Sequence, residues 1–188
     1  MRKLLCALSL MSALVLALAV HAAAPGNFAG TWTLDKSKSQ GLNPRLQNAE
    51  SVSWVITQTD KDITIEEKIA GGPPPPNMGG GDRPAGGGGG GRGMGMGGGF
   101  GGPRTFNLDG SETSADMGRG KVARKASVSG DGKTLELTSK STFQGPEGEI
   151  TTTSTEKLQL SGDGKTLTVN RHSEGPRGPQ DSTLVFNK

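Results

Sequence analysis

Few residues in this chain could do chemistry, and their spacing decides against most of it. His172 is the one histidine outside the apolar leader that holds His21, and it stands just before a polar turn at 174–178, where an exposed position is expected. There is no tyrosine, and the single cysteine, Cys6, lies in the same leader. Cysteine–histidine catalysis and ordinary zinc sites are therefore excluded once the leader is removed. The carboxylates Glu66 and Glu67 are adjacent in a segment that reads as a strand, so they point to opposite faces and cannot work as a pair. Asp131 and Asp163 sit in matching Ser-Gly-Asp-Gly-Lys stretches without the further oxygen ligands and closing glutamate of a calcium loop, which reads as turn chemistry. Met78, Met94 and Met96 are soft thioethers that could hold cuprous copper, but only two of them are close together. No catalytic residue, metal site or cofactor is implied, and no enzymatic activity is expected.

The elements that must position these residues are strands. Phe28, Gly30, Trp32 and Leu34 share one phase of a period-2 pattern; Val52, Trp54 and Ile56 repeat it, as do Ile63, Ile65 and Ile69. Phe106 and Leu108 mark a fourth strand, while 42–50, with Pro44 near its start, is suited to a turn or two of helix. Ser129-Gly130-Asp131-Gly132-Lys133-Thr134-Leu135 recurs as Ser161-Gly162-Asp163-Gly164-Lys165-Thr166-Leu167, and Asp-Gly between alternating segments is a strong hairpin signal. Second turns follow each copy, at Gly145-Pro146-Glu147-Gly148 and Gly175-Pro176-Arg177-Gly178. Strands are expected at 122–128, 135–143, 149–160, 167–172 and 182–186. The expected fold is all-β: an up-and-down antiparallel meander of about eight to nine strands, enough to close a barrel and so remove exposed edges.

Composition sets the domain plan. Arg2 and Lys3 precede an apolar run over 4–20 and small residues at Val20-His21-Ala22, the pattern of a Sec-type signal peptide over 1–22 cleaved near Ala22. The expectation is a periplasmic or secreted protein without stable membrane insertion after cleavage. The remainder, 23–188, suits one β domain. Within it, 71–103 holds 18 glycines and 6 prolines, too little apolar matter to offset the entropy of ordering, so a disordered insertion between neighbouring strands is expected. Arg83, Arg92, Arg104 and Phe100 give that insertion sparse cationic and aromatic stickers. Without the leader, 19 basic residues face 18 acidic ones, which is no nucleic-acid signature.

Asn27-Phe28-Ala29-Gly30-Thr31-Trp32 resembles the opening strand of the lipocalins and their calycin relatives, where an N-terminal G-x-W stands near the closed end of an up-and-down barrel. The closing Leu184-Val185-Phe186-Asn187-Lys188 is similar to the short terminal strand of such barrels. A second lipocalin signature, T-D-Y, has no counterpart. The chain thus looks like a small secreted bacterial lipocalin-like β-barrel. The resemblance implies that Gly30 and Trp32 form the barrel base, with Arg171 from a late strand above the tryptophan. It also implies an interior holding one small apolar molecule, with Trp54, Ile56, Ile63 and Ile65 as cavity wall; the same four residues could instead fill a dry core. The alternative function is a cell-envelope interaction module whose glycine-rich segment meets a protein partner, with no small-molecule ligand.

Overall fold

Alternating apolar and polar residues produce strands here because one face of each strand is removed from water while the other stays wet. The computed structural model describes residues 26–71, 102–117, 120–145 and 148–188. The expected signal peptide, residues 72–101 of the glycine-rich segment and the Pro146-Glu147 pair lie outside the described residues. The elements in chain order are β1 (Gly30–Leu34), α1 (Pro44–Asn48), β2 (Ser51–Gln58), β3 (Asp62–Ala70), β4 (Arg104–Asn107), β5 (Thr113–Asp116), β6 (Gly120–Val128), β7 (Thr134–Gly145), β8 (Gly148–Leu160), β9 (Thr166–Glu174) and β10 (Gln180–Asn187).

All ten strands belong to one antiparallel sheet of order β4-β3-β2-β1-β10-β9-β8-β7-β6-β5. First and last strands pair through Thr33–Asn187 and Leu34–Phe186. The sheet rolls up until β4 lies against β6, so the barrel is nearly closed. The seam has no ladder; it is bridged by Thr113, whose single hydroxyl hydrogen is shared between the carbonyls of Thr105 on β4, at 3.4 Å, and of Arg124 on β6, at 3.5 Å, both long contacts.

Ten strands replace the expected eight to nine. The extra one is β5, Thr-Ser-Ala-Asp, which is mostly exposed and has no apolar alternation to announce it. It exists because β6 offers it a backbone edge, from Thr113–Arg124 to Asp116–Lys121. The first strand also begins later than its period suggests. Residues 26–29 are not strand; they run under the barrel, where the Gly26 N–H donates to Gly132 O at 2.7 Å. Gln58 clamps this segment on both sides, accepting from Phe28 N–H at 2.9 Å and donating to Gly26 O at 3.0 Å. Phe28 is thereby fully buried as a plug in the floor.

Both Ser-Gly-Asp-Gly-Lys copies form the same hairpin turn. In each the serine hydroxyl donates to the aspartate, at 2.5 Å for Ser129–Asp131 and 2.6 Å for Ser161–Asp163, and the aspartate accepts the lysine N–H at 3.1 Å. The second glycine supplies a positive φ, 71° at Gly132 and 68° at Gly164. The helix is one short turn: Asn43 caps it by accepting from Leu46 N–H at 3.0 Å, Pro44 opens it, and Leu46 is delivered to the core.

Candidate functional site

Strand register sorts the inward-facing side chains into rows. The lowest rows are apolar: Leu160, Leu167, Phe186 and Leu34 stand side by side, and above them Val128, Leu135, Leu158, Val169 and Leu184. The next row breaks the pattern. It reads Ala126, Leu137, Glu156, Arg171, Ser182, and the row beyond it Arg124, Ser139, Ser154, Ser173, Gln180. An apolar floor thus gives way, one step along β8, β9 and β10 and two steps along β6 and β7, to charges and hydroxyls.

Glu156 lies at the centre of this break. It is the buried charged residue of the described chain, 2% exposed. Its Oε2 accepts from Arg104 Nη1 at 2.9 Å; its Oε1 accepts from Arg171 Nε at 2.8 Å and lies 2.7 Å from Arg171 Nη2. Burial alone would push the carboxyl up, but the two guanidinium charges outweigh it and hold Glu156 below its ordinary value. Because Arg104 sits on β4 and Arg171 on β9, the triad ties opposite sides of the sheet's strand order together.

The triad rests on Trp54. Arg104 stands 5.5 Å and Arg171 5.9 Å from the indole centroid, both at cation–π distance, while Phe186 packs against the ring at 4.7 Å. The indole N–H donates to Glu67 Oε2 at 3.0 Å. Glu66, one residue earlier, faces outward beside Lys68 at 3.7 Å. Among the described residues, two buried side-chain polar atoms lack a hydrogen-bond partner: Glu67 Oε1 and Arg124 Nε. Burial, and then the charge of Arg104, make Arg124 a weaker base than usual.

The sequence-expected residues fall into two groups. Trp54, Ile56, Ile63 and Ile65 are all inward and buried, in one hydrophobic cluster with Phe106, Leu137 and Phe186. Two depressions, of about 550 and 360 Å³, open elsewhere on the surface, and none of the four lines either. Trp32 is fully buried and donates its indole N–H to Phe28 O at 2.8 Å, in the plugged end of the barrel. Gly30 has φ of 135°, and a Cβ there would stand 2.5 Å from Lys188 Cε. Lys188 is in turn the cation above Trp32, 4.7 Å from its ring. Arg171 is not above Trp32, as the resemblance implied; it covers Trp54, which stands directly opposite Trp32 on β2, while the cation on Trp32 is Lys188.

His172 lies within β9, on the outer face, with Asp181 at 2.6 Å and Glu174 at 3.4 Å. These carboxylates, Asp181 first, raise its pKa. Asp131 and Asp163 spend their acceptors on their own turns, and hydrogen bonds from Ser129 and Ser161 are the main cause of their lowered pKa values. Among the described residues no group of three or more His, Cys, Asp or Glu is placed to hold a metal ion, and no helix is long and apolar enough to cross a membrane. Met78, Met94, Met96, Arg83, Arg92 and Phe100 lie outside the described residues.

Glu156 and Arg124 were not singled out from sequence, and Glu67 was weighed only as half of a pair with Glu66. A signal was available: each is a charged residue in the inward phase of a strand whose neighbours two positions away are apolar, as in Val122-x-Arg124-x-Ala126 and Glu156-x-Leu158. No family model matches the sequence, and no curated protein matches it. Among solved structures, zebrafish ileal bile acid-binding protein complexed with cholic acid is similar at 16% identity, with 86% of this chain and 98% of that chain covered and a TM-score of 0.45.

Proposed function

We propose that this chain is an exported, non-enzymatic, lipocalin-like binding protein that takes a small molecule with an apolar body into the upper lumen of its barrel, above Trp54. Export rests on the signal-peptide pattern of residues 1–22. The observation that carries the binding reading is the break in the inner face. A barrel that only needed a dry core would continue the leucine rows; placing Glu156, Arg104 and Arg171 there costs several kcal/mol of desolvation per ion before their mutual attraction offsets it. Such a cost is commonly found where a site needs fixed charge. The hydroxyl row of Ser139, Ser154 and Ser173 above the triad, with Ser173 donating to Ser154 at 3.1 Å, adds adaptable donors and acceptors next to it. In this reading Gly30 and Trp32 belong to the floor, and Ile56, Ile63 and Ile65 form apolar wall, Ile65 standing beside Arg104 in the register.

Native mass spectrometry of protein isolated from its own compartment is the direct test, with a stoichiometric adduct of lipid-like mass expected. Titration with fatty acids and other apolar probes should change the tryptophan fluorescence of the wild type, and Trp54→Phe should remove that response. No adduct, together with a flat titration, rejects the reading.

A further inference from the structure

We propose that the free edge of β8 pairs with the same edge of a second copy of this chain, in an antiparallel two-fold ladder centred on Ile150. The pairing does not depend on a ligand in the lumen.

The β7–β8 hairpin outgrows the rest of the sheet. β8 pairs with β7 as far as Gly145–Gly148, but its ladder with β9 stops at Thr153–Glu174. Along 148–152 the other edge of β8 has no strand partner among the described residues. Exposed edges are usually blunted by lysine, proline or a bulge. This one carries none of them: it reads Gly-Glu-Ile-Thr-Thr in unbroken register with β7, and Ile150, Thr151, Thr152 and Thr153 are all β-branched, the type that suits a pleated sheet. The inner side of the projection is apolar. Met117, Gly120, Phe143 and Ile150 stand in one row from the end of β5 to β8, with Met117 44% exposed and Phe143 and Ile150 half-buried.

Register selects the occupant. In a two-fold antiparallel pair the same patch serves both copies, and directly opposed side chains share a face, so the axis passes through a residue. Centring on Glu149 would set two carboxylates against each other. Centring on Thr151 would oppose Glu149 to Thr153, whose edge is already taken by Glu174. Centring on Ile150 avoids both. Gly148 then faces Thr152, Glu149 faces Thr151, and the two Ile150 side chains meet, so the apolar row runs from one copy into the other.

Charge matches in the same register. Gly175 lies against Thr152, where a Cβ would stand 3.0 Å from Thr152 Cγ2, so the β9–β10 turn caps the end of the free edge. A strand arriving there brings its Glu149 to a turn that carries Arg177. Both residues are exposed, and neither has an ion-pair partner among the described residues. Symmetry makes the contact twice. Main-chain hydrogen bonds supply affinity in such strand addition, but a ladder over 148–152 is small beside the ~1,600 Å² of a standard interface, so the dimer is expected to be weak.

Sedimentation equilibrium of the exported protein from about 10 μM to about 1 mM should show monomer and dimer in exchange, with amide exchange at 149–152 slowing as the dimer forms. Glu149→Arg or Arg177→Glu alone should weaken the dimer about fivefold, the worth of two exposed ion pairs, and the double variant should restore it. Both positions are exposed, so the variants keep the fold. Monomer throughout, or a dimer in which exchange at 149–152 is independent of concentration, overturns the proposal. So does a dimer that the single charge reversals leave unchanged or that the double variant fails to restore. If the protein stays monomeric while a peptide of alternating threonine and valine slows exchange at 149–152, the edge takes a foreign strand and the second-copy assignment is likewise overturned.

Discussion

Glu156 keeps its charge in the barrel interior only because two guanidinium groups share it, and this makes it the residue with most to lose. Glu156→Gln leaves Arg104 and Arg171 facing one another without a counter-charge and should cost about 3–5 kcal/mol in urea unfolding at neutral pH. The sign of its pH dependence is fixed by the direction of its shift. The native pKa is held below the ordinary 4.5, so the stability it contributes is complete above 4.5 and is lost as pH falls through the lower native value. Acid titration of stability should therefore show a decline below about 4.5 that is shallower in Glu156→Gln. Asp35, lowered to about 2 mainly by the Ser37 hydroxyl and then by Lys38, has the same sign but is only partly buried, so solvent screens its contribution. His172 has the opposite sign: its raised pKa stabilises below 6.5 and is lost as pH rises through the higher native value. Arg124 behaves unlike Glu156, because among the described residues no side chain pairs with its guanidinium. Arg124→Met should leave thermal stability unchanged or raise it, by up to about 1 kcal/mol, since it removes a partly buried charge and an unsatisfied N–H together. A loss of several kcal/mol in that variant would show that an unseen partner holds Arg124.

Among the elements, the repeated turns were the most legible part of the chain. Their serine, aspartate and glycine act within five residues of one another, so tertiary structure adds little to them. Gly164 tests this in isolation: a Cβ there meets no neighbouring atom, yet φ is 68°. Gly164→Ala should thus cost about 1–2 kcal/mol through backbone strain alone, measured by thermal unfolding. β5 is the counterexample. Nothing in Thr113-Ser114-Ala115-Asp116 alternates, because an exposed edge strand needs only a backbone partner, and β6 provides one from elsewhere. The start of β1 was misread for a related reason. Phe28 keeps the apolar phase of Gly30, Trp32 and Leu34, but its segment is held by Gln58 and Gly132, both distant in sequence, and crosses the base instead of joining the sheet.

At the scale of the whole molecule, the barrel has one weak line, the β4–β5 seam, bridged by the Thr113 hydroxyl and flanked by two arginines. Thr113→Val keeps the shape and removes the bridge, so amide exchange should rise in β4 and β5 while the β7–β8 hairpin is unaffected. Uniform exchange along the sheet would mean the seam is no weaker than the ladders. The sequence by itself determined what is local or periodic: strands from alternation, hairpin turns from Ser-Gly-Asp-Gly-Lys, the short helix from Asn43 and Pro44, and from these an up-and-down meander. Tertiary structure alone decided which inward residues meet. Arg104, Glu156 and Arg171 lie 52 and 15 positions apart in pairs, and only the rolled sheet brings them onto the face of Trp54. A period-2 pattern says that a side chain points inward, but not what stands opposite, because register and closure are set by backbone pairing between distant segments. That is why the inward phase of Trp32 followed from its own neighbours, whereas the charged cluster on Trp54 emerged only when the barrel closed.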